Sequence, residues 1–225
     1  MSFVKAVKRP IRKVGVQLGL LKDWDAYFAL LAEPGRERAA DFYNTQYESS
    51  PGYDSDYTQS EYYFLWSIIA DRIAASKSKR ILEVGCGSGQ FALLLNEQGL
   101  HEYLGFDFSE VAIGLAQKRV PDFTFQVDDA LKTSLFESYS SDWIVCTEVL
   151  EHLDQDRELV QRFPKGTHCL CTVPNFPFSS HVRHFETEEE VIERYSEFFE
   201  NFSVRTLRGI RNDDEKFFLM DGVRA

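Results

Sequence analysis

Ile81-Leu82-Glu83-Val84-Gly85-Cys86-Gly87-Ser88-Gly89-Gln90-Phe91 is an apolar run that breaks into three alternating glycines and resumes as Phe91-Ala92-Leu93-Leu94-Leu95. A buried strand that turns sharply over glycines into a helix brings bare backbone close to a ligand, because glycine adds no Cβ and tolerates positive φ. Such a crevice at a strand's carboxyl end suits a nucleotide-like cofactor. The spacing is G-x-G-x-G, and Gln90 stands where a dinucleotide fingerprint places its third glycine. That departure moves the reading away from NAD and a dehydrogenase, toward another adenosine-bearing cofactor.

Outward from this turn the chain becomes regular. Phe64, Ile68, Ile69 and Ile73 recur at helical spacing and predict a helix over Tyr62–Ala75, followed by the strand Arg80–Val84. Strand and helix then alternate: a helix near Gly89–Glu97, a strand His101–Phe106, a helix Ser109–Lys118 capped by Ser109, and a strand Phe123–Val127. A short helix near Ala130, a strand Trp143–Cys146, a helix within Leu153–Phe163 and a strand His168–Val173 follow. Thr187-Glu188-Glu189-Glu190 has the form of a capping box and opens a helix to about Phe199. Two β-rich runs, Phe202–Leu207 and Glu215–Leu219, flank the turn-prone Asn212-Asp213-Asp214. The alternation predicts an α/β fold, a mostly parallel sheet with helices on both faces and an antiparallel edge.

Upstream, residues 1–60 read as an N-terminal arm, partly helical, and a lid segment; residues 61–225 read as the main domain. The arm mixes Lys5, Lys8, Arg9, Arg12 and Lys13 with apolar residues, so it either docks on the core or makes a peripheral contact with an anionic membrane. Ala32–Ser60 is rich in turn formers and carries Tyr43, Tyr47, Tyr53 and Tyr57, the pattern of a covering over a site. The net charge is −11, and the five cations of residues 1–20 leave the rest of the chain at −16. A body that acidic repels phosphate backbones and counts against nucleic-acid partners. No C-x-x-C pair, membrane span or secretory signal is present, so the four cysteines read as reduced and the chain as cytoplasmic.

Carboxylates stand at successive strand ends. Asp107 closes His101-Glu102-Tyr103-Leu104-Gly105-Phe106-Asp107-Phe108, where it can accept hydrogen bonds from both hydroxyls of a ribose. Val127-Asp128-Asp129-Ala130 ends the next strand, where a carboxylate can take an adenine amino group and the Ala130 N–H a ring nitrogen; an ordinary helix cap is the alternative. Together with Thr147-Glu148-Val149-Leu150-Glu151-His152-Leu153, these segments resemble the class I methyltransferases that use S-adenosylmethionine. The resemblance covers about residues 62–220. It implies seven strands in the order 3-2-1-4-5-7-6, a Rossmann-like sheet with strand 7 antiparallel. It also implies cofactor contacts from Glu83, Gly85, Cys86, Gly87, Gly89, Asp107, Phe108, Asp128, Asp129, Ala130, Thr147 and Glu148. Gln90 agrees, since this cofactor has no pyrophosphate.

The E-V-L-E-H stretch is similar to that of ubiquinone-pathway O-methyltransferases; with the aromatic residues around the pocket and the acidic surface, it points to a small-molecule or lipid-linked acceptor, with a hydroxyl as the expected methyl acceptor and an amine as the alternative the sequence leaves open. Glu148, Glu151 and His152 share one face if the turn is helical, and Val173-Pro174-Asn175-Phe176-Pro177-Phe178-Ser179-Ser180-His181-Val182-Arg183-His184-Phe185 brings two more histidines to the same edge. His152 is the candidate base, and His184 a second catalytic candidate. Alternatively, Glu148, Glu151, His152 and His184 hold a divalent metal, with His181 as another possible later ligand. That pattern is similar to RNA 3′-terminal 2′-O-methyltransferases, making metal-dependent RNA methylation an alternative function. A cofactor-binding scaffold or sensor without catalysis is the alternative from another class, distinguished by motif erosion, which is absent from Glu83 to His152.

Overall fold

The computed structural model describes residues 35–210 and 214–225. The arm at residues 1–31, its helical character and its membrane contact lie outside the described residues. Seven strands form one sheet in the order β3-β2-β1-β4-β5-β7-β6. They are β1 (Ile81–Val84), β2 (Tyr103–Asp107), β3 (Thr124–Val127), β4 (Trp143–Thr147), β5 (His168–Pro174), β6 (Phe199–Arg208) and β7 (Lys216–Arg224). The first five pair in parallel, and β7 runs antiparallel to both β5 and β6. The expected fold, order and edge direction are therefore present.

Alternation along the strands divides two cores. Ile81, Trp143 and Val145 face one side, packed with side chains of α2 (Tyr63–Ala74), α3 (Gln90–Glu97) and α4 (Glu110–Arg119); α1 (Ala40–Ser49) precedes them. Leu82, Val84, Ile144 and Cys146 face the other, packed with α5 (Leu135–Ser138), α6 (Asp156–Arg162) and α7 (Glu188–Tyr195). Each fully buried aliphatic or aromatic side chain stabilises the fold by about 1.5–3 kcal/mol. All four cysteines are buried and unpaired. Among the described residues no helix is long and apolar enough to cross a membrane.

Several boundaries differ from expectation. No helix forms at Ala130: Asp129 Oδ1 accepts the Leu131 N–H at 2.9 Å and closes a local turn, and the helix begins only at Leu135. The Thr187 hydroxyl caps α7 by accepting the Glu190 N–H, but the helix ends at Tyr195 and a 3-10 turn over Ser196–Phe198 leads into β6. Both closing strands are longer than their apolar runs, since β7 is central and pairs on both sides. α1, with no fully buried residue, lies where turn formers dominate.

The strand order reverses between β1 and β4, and this switch point opens a crevice at the carboxyl ends of the strands. The glycine turn after β1 fills it.

Candidate active site

Gly85, Gly87 and Gly89 have φ values of 70°, 53° and 75°, a left-handed conformation that side chains resist. At Gly89, the N-cap of α3, a Cβ would also lie 3.0 Å from the Cα of Ala116 in α4. Gly89→Ala should therefore destabilise the protein by about 2 kcal/mol, measured by urea unfolding. Wild-type stability in that variant would show that the close α3–α4 approach is not required.

Asp107 ends β2 directly beside this turn. Its Oδ2 accepts the Gly87 N–H at 3.0 Å and its Oδ1 the Ser109 N–H at 2.9 Å. Burial pushes its carboxyl up to about 6, against the pull of those backbone bonds. Beneath the turn, Glu83 accepts a hydrogen bond from the Tyr103 hydroxyl, and burial pushes its carboxyl up to about 8. Cys86 is buried with its thiol held far above its usual range, which makes it an inert wall.

At the end of β3, Asp128 accepts the Thr133 hydroxyl at 2.5 Å and the Asp129 N–H at 2.8 Å. Asp129 pairs with Lys132 at 2.6 Å as well as capping its own turn. Glu83, the three-residue turn Gly85–Gly87, Asp107, Phe108, Asp128, Asp129, Ala130, Thr147, Glu148 and His152 all line one cavity of about 230 Å³. Gly89 is absent from that lining and serves the α3–α4 packing.

The E-V-L-E-H segment departs from one helical face. Glu148 has φ 55°, its N–H donates to Thr172 Oγ1 at 3.1 Å, and its carboxylate accepts that hydroxyl at 3.0 Å. A 3-10 turn spans Leu150–His152 and buries Glu151, whose carboxyl still feels the Glu148 charge. The His152 Nδ1 lies 2.8 Å from the Ser180 carbonyl oxygen, which can only accept, so Nδ1 carries the proton and Nε2 the lone pair. Burial drives the His152 imidazole down to about 4. Its ring meets Tyr43 edge-on at 5.7 Å and His181 at 4.8 Å.

His181, not His184, joins this cluster. His181 Nδ1 donates to the Phe176 carbonyl at 3.0 Å, and ligand atoms of Glu151, His152 and His181 all lie within 4.8 Å of one another. His184 is 38% exposed at its side chain, 3.7 Å from Glu186, and does not line the cavity. The loop's path explains the exchange: the Val182 N–H donates to the Glu151 carbonyl at 2.8 Å, and Arg183 donates to the Leu150 carbonyl at 2.9 Å. Both Glu151 oxygens are buried with no hydrogen-bond partner among the described residues, and burial raises that carboxyl well above its ordinary range.

Tyr43 and Tyr47 of α1, with Tyr53, form the wall opposite the sheet. Tyr43 packs on Phe108 at 5.1 Å, and Asn44 accepts the Ser109 hydroxyl at 2.6 Å.

A family model described as a methyltransferase domain matches residues 59–212. Malonyl-[acyl-carrier protein] O-methyltransferase of Bacillus cereus is 32% identical over 100 residues, 43% of this chain and 36% of that protein. Ubiquinone biosynthesis O-methyltransferase of Aromatoleum aromaticum is 32% identical over 87 residues, 37% of each chain. The chain thus spans just over a third of the length of these curated relatives. Among solved structures, the N-methyltransferase NodS of Bradyrhizobium japonicum WM9, in complex with S-adenosyl-L-homocysteine, is similar with a TM-score of 0.62. That likeness has 20% identity over 81% of this chain and 98% of that one, and shows a shared fold. With its family match extending over more than half the sequence and a seven-stranded sheet in the order 3-2-1-4-5-7-6 that the resemblance to class I S-adenosylmethionine-dependent methyltransferases implies, the chain belongs to the methyltransferase-domain family.

Proposed function

We propose that this chain moves a methyl group from S-adenosylmethionine to a hydroxyl of a small-molecule or lipid-linked acceptor, with His152 as general base. The observation that carries the reading is the orientation of His152. Its Nδ1 proton is committed to the Ser180 carbonyl, so Nε2 carries the lone pair that can take a proton, and the ring lines the same cavity as the glycine turn and Asp107. When bound, the cofactor supplies a methyl group already activated by a sulfonium. The residues then have two tasks, to align an acceptor oxygen and to take its proton. Asp107 would accept the ribose hydroxyls, and Asp128 and the Ala130 N–H the adenine edge. Burial keeps His152 neutral near physiological pH, as a base must be. The aromatic wall of Tyr43, Tyr47 and Tyr53 suits an acceptor with an apolar body. Incubation with methyl-labelled cofactor and a panel of phenols and amines should put label on phenolic oxygen. Label on nitrogen alone would overturn the hydroxyl assignment.

Glu151 favours a second reading, a divalent cation held by Glu151, His152 and His181. A buried carboxylate whose two oxygens accept no hydrogen bond costs stability unless something pairs with it. One carboxylate and two imidazole nitrogens suit zinc or a similar borderline ion, which as a Lewis acid would lower the pKa of an acceptor hydroxyl. His152 would then be a ligand, and transfer would be lost on chelation; as a metal-free base it would survive. Zinc or manganese at a hundred times its Kd should raise the wild-type Tm by about 5 °C. Glu151→Gln and His181→Ala should remove that rise; its persistence in both variants would contradict the ligand set.

A further inference from the structure

We infer that Gln90 and Arg119 are positioning residues for the cofactor: they hold the strap at residues 51–57, with its tyrosines, over the glycine turn. The inference rests on the cofactor reading above. Gln90 opens α3 and is 8% exposed. Its side-chain nitrogen donates to the Gly52 carbonyl at 3.2 Å and the Ser55 carbonyl at 2.9 Å, which occupies both amide hydrogens. Arg119, the last residue of α4, reaches the strap from the other side. Its guanidinium donates to the Tyr53 carbonyl at 2.9 Å, the Ser55 carbonyl at 3.3 Å and the Ser88 hydroxyl oxygen at 2.8 Å. The Ser88 hydroxyl in turn donates to the Tyr53 carbonyl at 2.7 Å. Farther along, the Tyr57 hydroxyl donates to Glu97 at 2.5 Å, at the other end of α3.

Three strap carbonyls, at Gly52, Tyr53 and Ser55, thus accept bonds from residues next to the glycine turn and the end of α4, and the Gly52 carbonyl also accepts the Ser55 hydroxyl within the strap at 2.7 Å. Tyr53 and Ser55 are half-buried, and a glycine at position 90 would supply no side-chain donor to the strap. This gives Gln90 a task of its own where a dinucleotide site would have glycine. The consequence reaches the cavity. Tyr53 is held against Tyr47 with ring centroids 4.4 Å apart, and a Cβ on Gly87 would lie 2.9 Å from the Tyr47 hydroxyl. The hydroxyl end of Tyr47 therefore stands directly over the turn, and Tyr53, held by the strap, packs against it.

The test uses the full chain with Gln90→Glu and Arg119→Lys. The first keeps size but sets an acceptor against two carbonyls; the second keeps charge but loses the fork, on a half-buried residue at a helix end. Hydrogen exchange should rise at least about tenfold at the amides of residues 52–58 and remain unchanged in the sheet. S-adenosylhomocysteine, titrated by calorimetry, should bind about tenfold more weakly to each variant. A loosened strap with wild-type affinity would overturn the positioning role, leaving only a structural tie. An unchanged exchange pattern in both variants would overturn the clamp. If the wild-type chain itself bound no S-adenosylhomocysteine, the cofactor reading would fall and this inference with it. Should Gln90→Glu not fold, Arg119→Lys decides the same questions.

Discussion

Asp107→Ala is expected to weaken S-adenosylmethionine binding by about a hundredfold, the effect of losing charge-assisted hydrogen bonds to a ligand. The carboxylate stands at the end of β2 with both oxygens facing the glycine turn and the start of α4, and its bonds to the Gly87 and Ser109 N–H groups fix its direction. The variant should still fold, because these are two bonds at the carboxyl end of one strand in a sheet whose cores are otherwise intact. The wild type should show a pH signature as well. Burial sets the Asp107 carboxyl at about 6, above the ordinary carboxylate range, so a proton loads as the pH falls through 6 and removes an acceptor. Cofactor affinity should therefore fall between pH 7 and 5 in the wild type, and this component should be missing from Asp107→Ala. Calorimetric titrations at pH 7.5 and 5 check both statements; wild-type affinity in the variant at both values would remove Asp107 from the site.

His152→Ala should lower the rate of methyl transfer by about a hundredfold to ten-thousandfold and leave S-adenosylhomocysteine affinity within about threefold. The separation follows from position: His152 lies in the segment after β4, and the residues proposed to hold the ribose and adenine stand at the ends of β2 and β3. Its pH dependence differs from that of an ordinary imidazole. With burial holding the group at about 4, Nε2 remains unprotonated through pH 5 to 8, so the wild-type rate should not show a loss centred near 6.5. The sign for stability follows from the same shift. The unfolded chain binds a proton at His152 below about 6.5 and the folded chain only below about 4, so this residue's contribution is lost as pH falls across that window. His152→Ala should show a shallower acid dependence of unfolding free energy there. A variant as active as the wild type would sink the assignment of the base.

Much of this was legible because periodic structure writes itself locally. The apolar run ending in Gly85, Gly87 and Gly89 marked β1 and its turn, and Ser109 and Thr187 were readable as caps because a short polar side chain before a helix has one local task. Asp107 and Asp128 were legible because strand ends in such a sheet converge on one crevice. The histidines were different. His181 and His184 lie three residues apart in an irregular loop, and the choice between them depends on bonds to distant backbone, from Val182 to Glu151 and from Arg183 to Leu150. The Ser180 carbonyl that sets the His152 tautomer carries no sequence signal, since every residue has a carbonyl. The same holds for the strap: nothing local announces that Gln90 and Arg119 would meet the carbonyls of Gly52, Tyr53 and Ser55. The turn formers around α1 hid a helix whose partner surface, on α4, is long-range.

The central claim is that the glycine turn at Gly85–Gly89, with Asp107 beside it, binds S-adenosylmethionine. Calorimetric titration of the wild-type chain with S-adenosylmethionine, and separately with NAD, tests it most directly. One saturable site for S-adenosylmethionine and no heat with NAD is the predicted result; saturable NAD binding, or no binding of S-adenosylmethionine, would contradict it.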